Sequence, residues 1–437
     1  MRDEIVATFK LTHHTLPWMP VSVSPMATWL SALSLLPPIA LFLGTRRLGP
    51  DARRRLSLVL IVVGLLGVLL GLLQIAQGAA SPLRFYAFTN SSEAVGFFAN
   101  RNHFAALLYS ALLFAGAWVL NLPSKGPGLD ARGVGLRLLG ATVLITLIAG
   151  ELAARSRAGL GLTMLALVGI ALLPAFGAGG RQGLSATRII AAAALLSLLL
   201  ATQFVLYRIF ERFDLDPLDD ARIDLATTTI QAAKALMPWG SGLGTFVPVY
   251  QLFERRDELA PSYANHAHND FLELWLETGV FGFLLTGLFV LWFMARSFEA
   301  WRPYNHAHSL DRSLARAASL VILLLCLHSF VDYPLRTGAM MAVFAFSCAL
   351  LVKAPERAPE DKSGTDRGND RVSKHGGTLP GAENDKASAA TQAHLKTQQP
   401  PPETRPGTRA SAPAKPHETW GGDIAWPEAW RKPSGNE

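Results

Sequence analysis

A series of long apolar blocks, from which charge is almost excluded, limits the possible folds of this chain more than any other pattern in it. Blocks of about 17–25 such residues have the length an α-helix needs to cross a hydrocarbon core of roughly 30 Å. Half of the 437 residues are apolar and 17% are charged, and the charges are gathered between the blocks rather than spread through them. The chain therefore reads as an all-α polytopic membrane protein. Nine transmembrane helices are predicted, at about 26–43, 56–77, 103–121, 138–153, 159–175, 189–207, 271–294, 317–333 and 337–353. Pro37-Pro38 predicts a kink or break inside the first.

The distribution of arginine and lysine assigns sides. Arg46, Arg47, Arg53, Arg54 and Arg55 lie between the first two spans and mark that loop as cytoplasmic. The alternate loops agree, with Lys125 and Arg132, then Arg181 and Arg188, then Arg296, Arg302, Arg312 and Arg316. Residues 1–25, 78–102, 154–158, 208–270 and 334–336 fall outside, and 208–270 forms the one large external loop. Residues 1–25 lack the apolar core of a signal peptide and read as an external N-terminal segment. Residues 354–437 carry 12 Lys/Arg, 12 Asp/Glu and 11 Pro with almost no apolar periodicity, which predicts a disordered cytoplasmic tail. The formal excess of +7 therefore belongs to the membrane domain, 26–353, and its flank, and it sits in loops rather than in a nucleic-acid-binding domain. Cys326 and Cys348 lie inside apolar blocks and read as small buried hydrophobes.

In such a chain the informative residues are polar ones that border the apolar blocks. Nearly all fall on the external side. Asn100-Arg101-Asn102-His103 opens the third span, Arg155 and Arg157 occupy the turn between the fourth and fifth, and Asp332 ends the eighth. Asn265-His266-Ala267-His268-Asn269-Asp270 leads into the seventh. External arginines run against the general charge bias. They could snorkel to lipid phosphates, or grip a phosphate of a ligand through the planar guanidinium fork. Arg157, followed by Ala158 and Gly159, has space beside it for the second role.

Residues 222–237 read as an interfacial amphipathic helix with Ile223, Ala226, Ile230, Ala233 and Met237 on one face and Asp219-Asp220 as its cap. Arg222, in its first turn, opposes the helix dipole and could pair with Asp219 or Asp224, or hold a second phosphate. His266, His268 and Asp270 form a His-x-His-x-Asp string that could ligate a metal, but an apolar span comes directly after it in place of further ligands, and no metal is expected. Asn305-His306-Ala307-His308 repeats the tetrapeptide in a loop of opposite side, so the first copy is distinguished only by the residues on its C-terminal side.

After His268-Asn269 come nine residues and then Gly279-Val280-Phe281-Gly282. This His-Asn-x9-Gly-x-x-Gly string resembles the signature of the O-antigen ligase and O-antigen polymerase family, bacterial membrane glycosyltransferases with a GT-C-like architecture. Four further pieces are similar in order and spacing: Gly96 to His103, Ser156-Arg157-Ala158-Gly159, the run from Arg222 through Gly242, Gly244 and Phe246 to Tyr250, and Glu277 before Gly279. The resemblance covers roughly residues 17–350. It implies transfer of a glycan from undecaprenyl pyrophosphate to an acceptor hydroxyl at the periplasmic face of the bacterial inner membrane, without metal or cofactor. The acceptor would be lipid A-core in a ligase and another glycan in a polymerase or protein in an O-oligosaccharyltransferase. Members commonly have about twelve spans, so nine implies a shortened N-terminus.

Residue chemistry agrees with that reaction. Pyrophosphate is a good leaving group, so the demand is for positive charge on the departing phosphates and a base for the incoming hydroxyl. Arg157 and Arg222, with Arg101 as a third contact, would supply the charge, and His268 the base. Asn269, Asp270 or Glu277 would orient it, with Asn102 and His266 in support. Two other classes remain. A transporter predicts charges near span centres and internal repeats, neither of which the sequence contains; a non-catalytic envelope scaffold predicts that changes at Arg157 or His268 are silent.

Overall fold

The computed structural model describes residues 2–15, 20–122, 131–174, 217–255, 264–302 and 309–354. Among them every regular element is a helix, and no strand forms. The elements are α1 (Arg2–Leu11), α2 (Pro25–Ser34), α3 (Leu36–Arg47), α4 (Pro50–Gln77), α5 (Arg101–Leu120), α6 (Ala131–Ala154) and α7 (Arg157–Leu172). They continue with α8 (Pro217–Ala235), α9 (Phe246–Phe253), α10 (Asp270–Thr278), α11 (Val280–Trp301), α12 (Ser309–His328) and α13 (Gly338–Leu350), with a 3-10 turn, Pro334–Arg336, before the last. Five stretches are long and apolar enough to cross a membrane: Pro25–Arg47, α4, α5, α6 and α11. Two shorter apolar helices, α7 and α13, accompany them. The expected span at 189–207, the tail beyond Ala354 and the repeated Asn305–His308 tetrapeptide lie outside the described residues.

The bundle is organised around α5. This helix is apolar on every side, and a helix without a polar face has to be surrounded. It is buried from His103 to Ala117 and packs against α4, α6, α7, α12 and α13. Close approach rests on small residues, as expected where lipid gives no hydrophobic drive for helix association. Gly64, Gly67 and Gly71 line one face of α4, and a methyl group built on them would lie 3.0 Å from Ala111 Cβ, 2.9 Å from the Phe104 ring and 2.8 Å from Ala94 Cβ. By contrast, α4, α6 and α11 keep large apolar side chains exposed on their outer faces, among them Leu69, Ile145 and Leu291.

Arginines close one end of the bundle by capping helix C-termini, whose last carbonyls have no partner within the helix. Arg53 donates to the carbonyls of Arg46, Leu48 and Val352, Arg296 to Leu351, and Arg316 to Leu173 and Ala300. Arg54 forms a two-pronged pair with Asp311 at 2.6 and 2.7 Å. Among the described residues, Arg53, Arg54, Arg296 and Arg316, from three of the stretches that marked one side by their positive charge, are thus gathered at one end of the helices.

Three local expectations are corrected. The seventh span does not run continuously through 271–294. The chain breaks at Gly279 (φ +56°), where a Cβ would collide with the Pro238 carbonyl, so a short α10 precedes a crossing helix that begins at Val280. The interfacial helix starts at Pro217 rather than 222, which puts Asp219 and Asp220 in its first turn instead of at its cap. Its buried stripe is also different: Thr228, Thr229, Ala232 and Ala233 pack inward with Leu225, while Ile223 and Met237 stay exposed. Small residues let α8 close on α10 and α9, forming a minor core with Phe246, Val249, Tyr250 and Leu276. The break expected at Pro37-Pro38 falls just before them, at Leu35, because proline is tolerated in the first turn of α3.

Candidate functional site

At the other end of the bundle, the starts of α5, α7 and α10 meet the turn at 329–337 that comes after α12. Its centre is Asp332, whose side chain is fully buried. The carboxylate accepts hydrogen bonds from Asn102 Nδ2 and from the Tyr333 backbone, and Asn100 Nδ2 lies 3.5 Å away. His268 Nδ1 sits 3.3 Å from Asp332 Oδ1, a distance of ion pairing rather than of a well-aligned hydrogen bond, and His103 Nε2 sits 3.9 Å from the same oxygen. Burial alone would raise this carboxyl. The His268 contact and the charges of His103, His268 and His328 outweigh it and hold Asp332 far below the usual carboxylate range.

Local structure explains how each group arrives there. Asn100 caps α5 through Asn102 N–H, which leaves Asn102 in the first turn with its amide directed sideways. Asn102 Oδ1 accepts from Ser156 Oγ at 2.8 Å, and Ser156 caps α7 by accepting from Gly159 N–H. A side chain at Gly159 would strike Ala105, so the two helix starts can be this close only with glycine there. Arg157 is the first residue of α7 and is half-buried beside this Ser156–Asn102–Asp332 chain. Arg155, in the turn before it, has a left-handed backbone (φ +50°) and an exposed side chain.

His268 also takes a left-handed backbone, φ +50°, in the turn before α10. Asn269 is not its orienting partner: it caps α10 by accepting from Phe271 and Leu272 N–H and donates to the Phe330 carbonyl. Nor are Asp270 and Glu277. Asp270 accepts from Ser329 Oγ and Leu335 N–H, while Glu277 pairs with Arg336 at 2.8 Å. Arg336 also lies 3.3 Å from Glu273 and 3.7 Å from Asp270, so one guanidinium holds three carboxylates from one face of α10. Burial pushes Asp270 up to about 6 against its Ser329 hydrogen bond and the Arg336 charge, and it raises Glu277. Burial acts on Glu273 too, but hydrogen bonding to His266 and the Arg336 charge hold that carboxyl below its ordinary value.

The His-x-His-x-Asp string therefore does not converge on a point. His266 Nδ1 goes to Glu273 at 2.9 Å, His268 to Asp332 and Asp270 to Ser329. The Tyr333 ring keeps the imidazoles apart, with its centroid 4.2 Å from His266, 4.7 Å from His103 and 4.9 Å from His268. Behind it, buried His328 meets the Tyr109 hydroxyl at 3.2 Å. Arg222, half-buried on α8, is near enough to act on His328 through its charge. Arg101 is turned elsewhere, paired with Glu93 at 3.0 Å.

Of the residues singled out in the sequence, Asn102 and His268 thus converge on Asp332, Arg157 and Arg222 border their cluster, and Arg101, Asn269, Glu277 and His266 serve other partners. Asp332, Tyr333, His328 and Arg336 are the additions. Asp332 carried a signal, as an acid at the end of an apolar block on the expected outer side, but nothing in the sequence paired it with His268. The site is a half-exposed imidazole backed by a buried carboxylate, with arginines at its border, which suits a base working beside an anionic ligand. No curated protein and no solved structure matches the chain. Over residues 138–287, however, the chain matches the family model described as O-antigen ligase, and over that stretch the resemblance drawn from its motifs is borne out.

Proposed function

We propose that this protein transfers a glycan from undecaprenyl pyrophosphate to an acceptor hydroxyl at the periplasmic face of the bacterial inner membrane, as an O-antigen ligase acting on lipid A-core. The observation that carries the reading is His268 held at 3.3 Å from the buried Asp332 carboxylate. Nδ1 faces Asp332, which favours the proton on that nitrogen, so in the proposed ground state the imidazole lone pair is on Nε2, the nitrogen left for the acceptor. In the proposed step Nε2 takes the hydroxyl proton as the acceptor oxygen bonds to the anomeric carbon. The bond from that carbon to the pyrophosphate oxygen breaks, and undecaprenyl pyrophosphate leaves with the electron pair. Asp332 balances the imidazolium that results, while Arg157 and Arg222 offset charge growing on the phosphates. The reaction proposed needs neither metal nor cofactor.

Arg101 takes a lesser part in this scheme, since Glu93 already neutralises it. Nine spans, with residues 208–270 as the periplasmic loop, remain the proposed topology, and the tail 354–437 is proposed to be cytoplasmic. The test is a transfer assay in nanodiscs, with an undecaprenyl-pyrophosphate glycan, with or without lipid A-core, and with chelator present. Glycan on lipid A-core, lost in His268→Ala and strongly reduced in Asp332→Asn and Arg222→Ala, is the expected result. Lengthening of the lipid-linked glycan alone would make it a polymerase, and transfer indifferent to His268 would overturn the assignment of the base.

A further inference from the structure

A concave site lies at the opposite end of the bundle from His268, where α3, α11 and the residues after α13 come together. It is a pocket of about 420 Å³ whose walls include Arg46, Arg296, Lys353, Glu299, Phe42 and Trp292. One carboxylate faces three cations, and it is already engaged: Glu299 pairs with Arg296 at 2.5 Å and with Lys353 at 3.0 Å. Arg296 spends its remaining donors on the Leu351 carbonyl, at 2.6 and 3.0 Å. The Arg46 guanidinium has no side-chain partner among the described residues, although its backbone carbonyl accepts from Arg53. The pocket is thus a fixed, positively charged cup with an arginine at its rim whose donors are unspent.

We propose that this pocket binds the phosphate headgroup of an anionic membrane lipid. Clustered cations at the end of membrane helices attract anionic headgroups, and arginine offers two parallel donors to phosphate oxygens. A lipid rather than free phosphate is the source because of what adjoins the charge. Phe42 and Trp292 form the apolar wall, and aromatic side chains of this kind settle at headgroup depth. On the membrane side of Phe42 along α3, Ile39 exposes a large apolar side chain, as Leu288 and Leu291 do before Trp292 on α11, a surface for acyl chains that a free anion would not use. Bound there, the lipid would tie α3 to α11 and α13. The proposal does not depend on glycan transfer.

The test is native mass spectrometry of the detergent-purified protein with added phosphatidylglycerol, phosphatidylcholine or inorganic phosphate, read as adducts retained and as shift in melting temperature. The wild type should retain phosphatidylglycerol in preference to phosphatidylcholine. Arg46→Gln with Lys353→Gln should lower that retention by about tenfold or more, given roughly 1 kcal/mol per cation, or about fivefold each. Arg47→Gln, outside the pocket on the same helix end, should change it little. Should the double variant not fold, the wild type alone still decides, since its phosphatidylglycerol retention should fall steeply with added salt. Equal retention of the two lipids, equal loss in Arg47→Gln, or equal protection by inorganic phosphate would overturn the proposal.

Discussion

His268 occupies a backbone conformation that non-glycine residues rarely adopt, and such strain persists only where the surroundings enforce it. Here the chain is tied down on both sides: Ala267 N–H donates to Glu273 Oε2, and, two residues on from His268, Asp270 N–H donates to the Ser329 carbonyl. The turn thereby aims the imidazole at Asp332 with little freedom to leave it. Removing the proposed base in His268→Ala should lower kcat by about 10²–10⁴-fold. Asp332→Asn keeps the size of the side chain but withdraws the charge that balances the imidazolium. It should lower kcat by at least about tenfold, with little change in KM for the donor, as initial rates at saturating donor would show. A group whose folded pKa is depressed contributes stability above its ordinary range and loses it only as pH falls through the folded value. Asp332 therefore stays ionised at every working pH and contributes no limb to the pH–rate profile. Asn102 and His268 were legible in the sequence because each is a polar residue at the edge of an apolar block. The partnership of His268 with Asp332 was not, since it depends on how the end of α12 is turned toward the start of α10.

Among the elements, the His-Asn-x9-Gly-x-x-Gly string divides into chemistry and architecture. Its histidine faces the site, its asparagine caps α10, and Gly279 makes the break that lets the chain turn into α11. Gly279→Ala would force a Cβ into a left-handed residue and against the Pro238 carbonyl. A loss of at least about 1–2 kcal/mol is expected, read as a lower melting temperature in detergent together with reduced transfer. The same short helix carries a pH-dependent term. Asp270 titrates at about 6 in the folded chain against an ordinary value of 3.8. A carboxyl raised on folding favours the folded state fully below its ordinary pKa, and that contribution is lost as pH rises through the folded value. Stability from this group should therefore decline between about pH 4 and 6. Asp270→Asn retains an acceptor for Ser329 and Leu335 but cannot ionise, so its melting temperature should vary less between pH 4.5 and 7.5 than that of the wild type. A second consequence concerns Arg336, which contacts all three carboxylates. Arg336→Met should destabilise by about 3–5 kcal/mol at neutral pH, because it leaves buried charge uncompensated. Part of that loss should be recovered on acidification, as the carboxylates take up protons.

For the bundle as a unit, hydropathy carried the helical membrane class, because it derives from the cost of moving charge and unpaired backbone into hydrocarbon. It could not separate α10 from α11, since an apolar run reads as one span whether or not a glycine bends it. Nor could charge bias show that the arginines of one end serve as helix caps. Contacts between distant segments now tie each end together. Val23 N–H donates to the Ser241 carbonyl, and Ser22 and Thr28 pack over Gly242, so the N-terminal segment lies with the glycine loop and the His268 end. Arg53 and Arg296 join α3, α4, α11 and α13 at the other. If the bundle crosses the membrane in this way, the two ends must differ in access to an impermeant thiol reagent. Trp239 and Lys353 are exposed at the two ends, at 57% for Trp239 and, for the lysine side chain, 83%. In a background in which Cys326 and Cys348 are replaced by alanine, Trp239→Cys should react in intact spheroplasts. Lys353→Cys should react only after permeabilisation, or in inverted vesicles. Labelling of both from one side would break the topology on which the proposed periplasmic site depends, whereas opposite labelling would leave His268 on the side on which the proposed reaction draws its lipid-linked glycan.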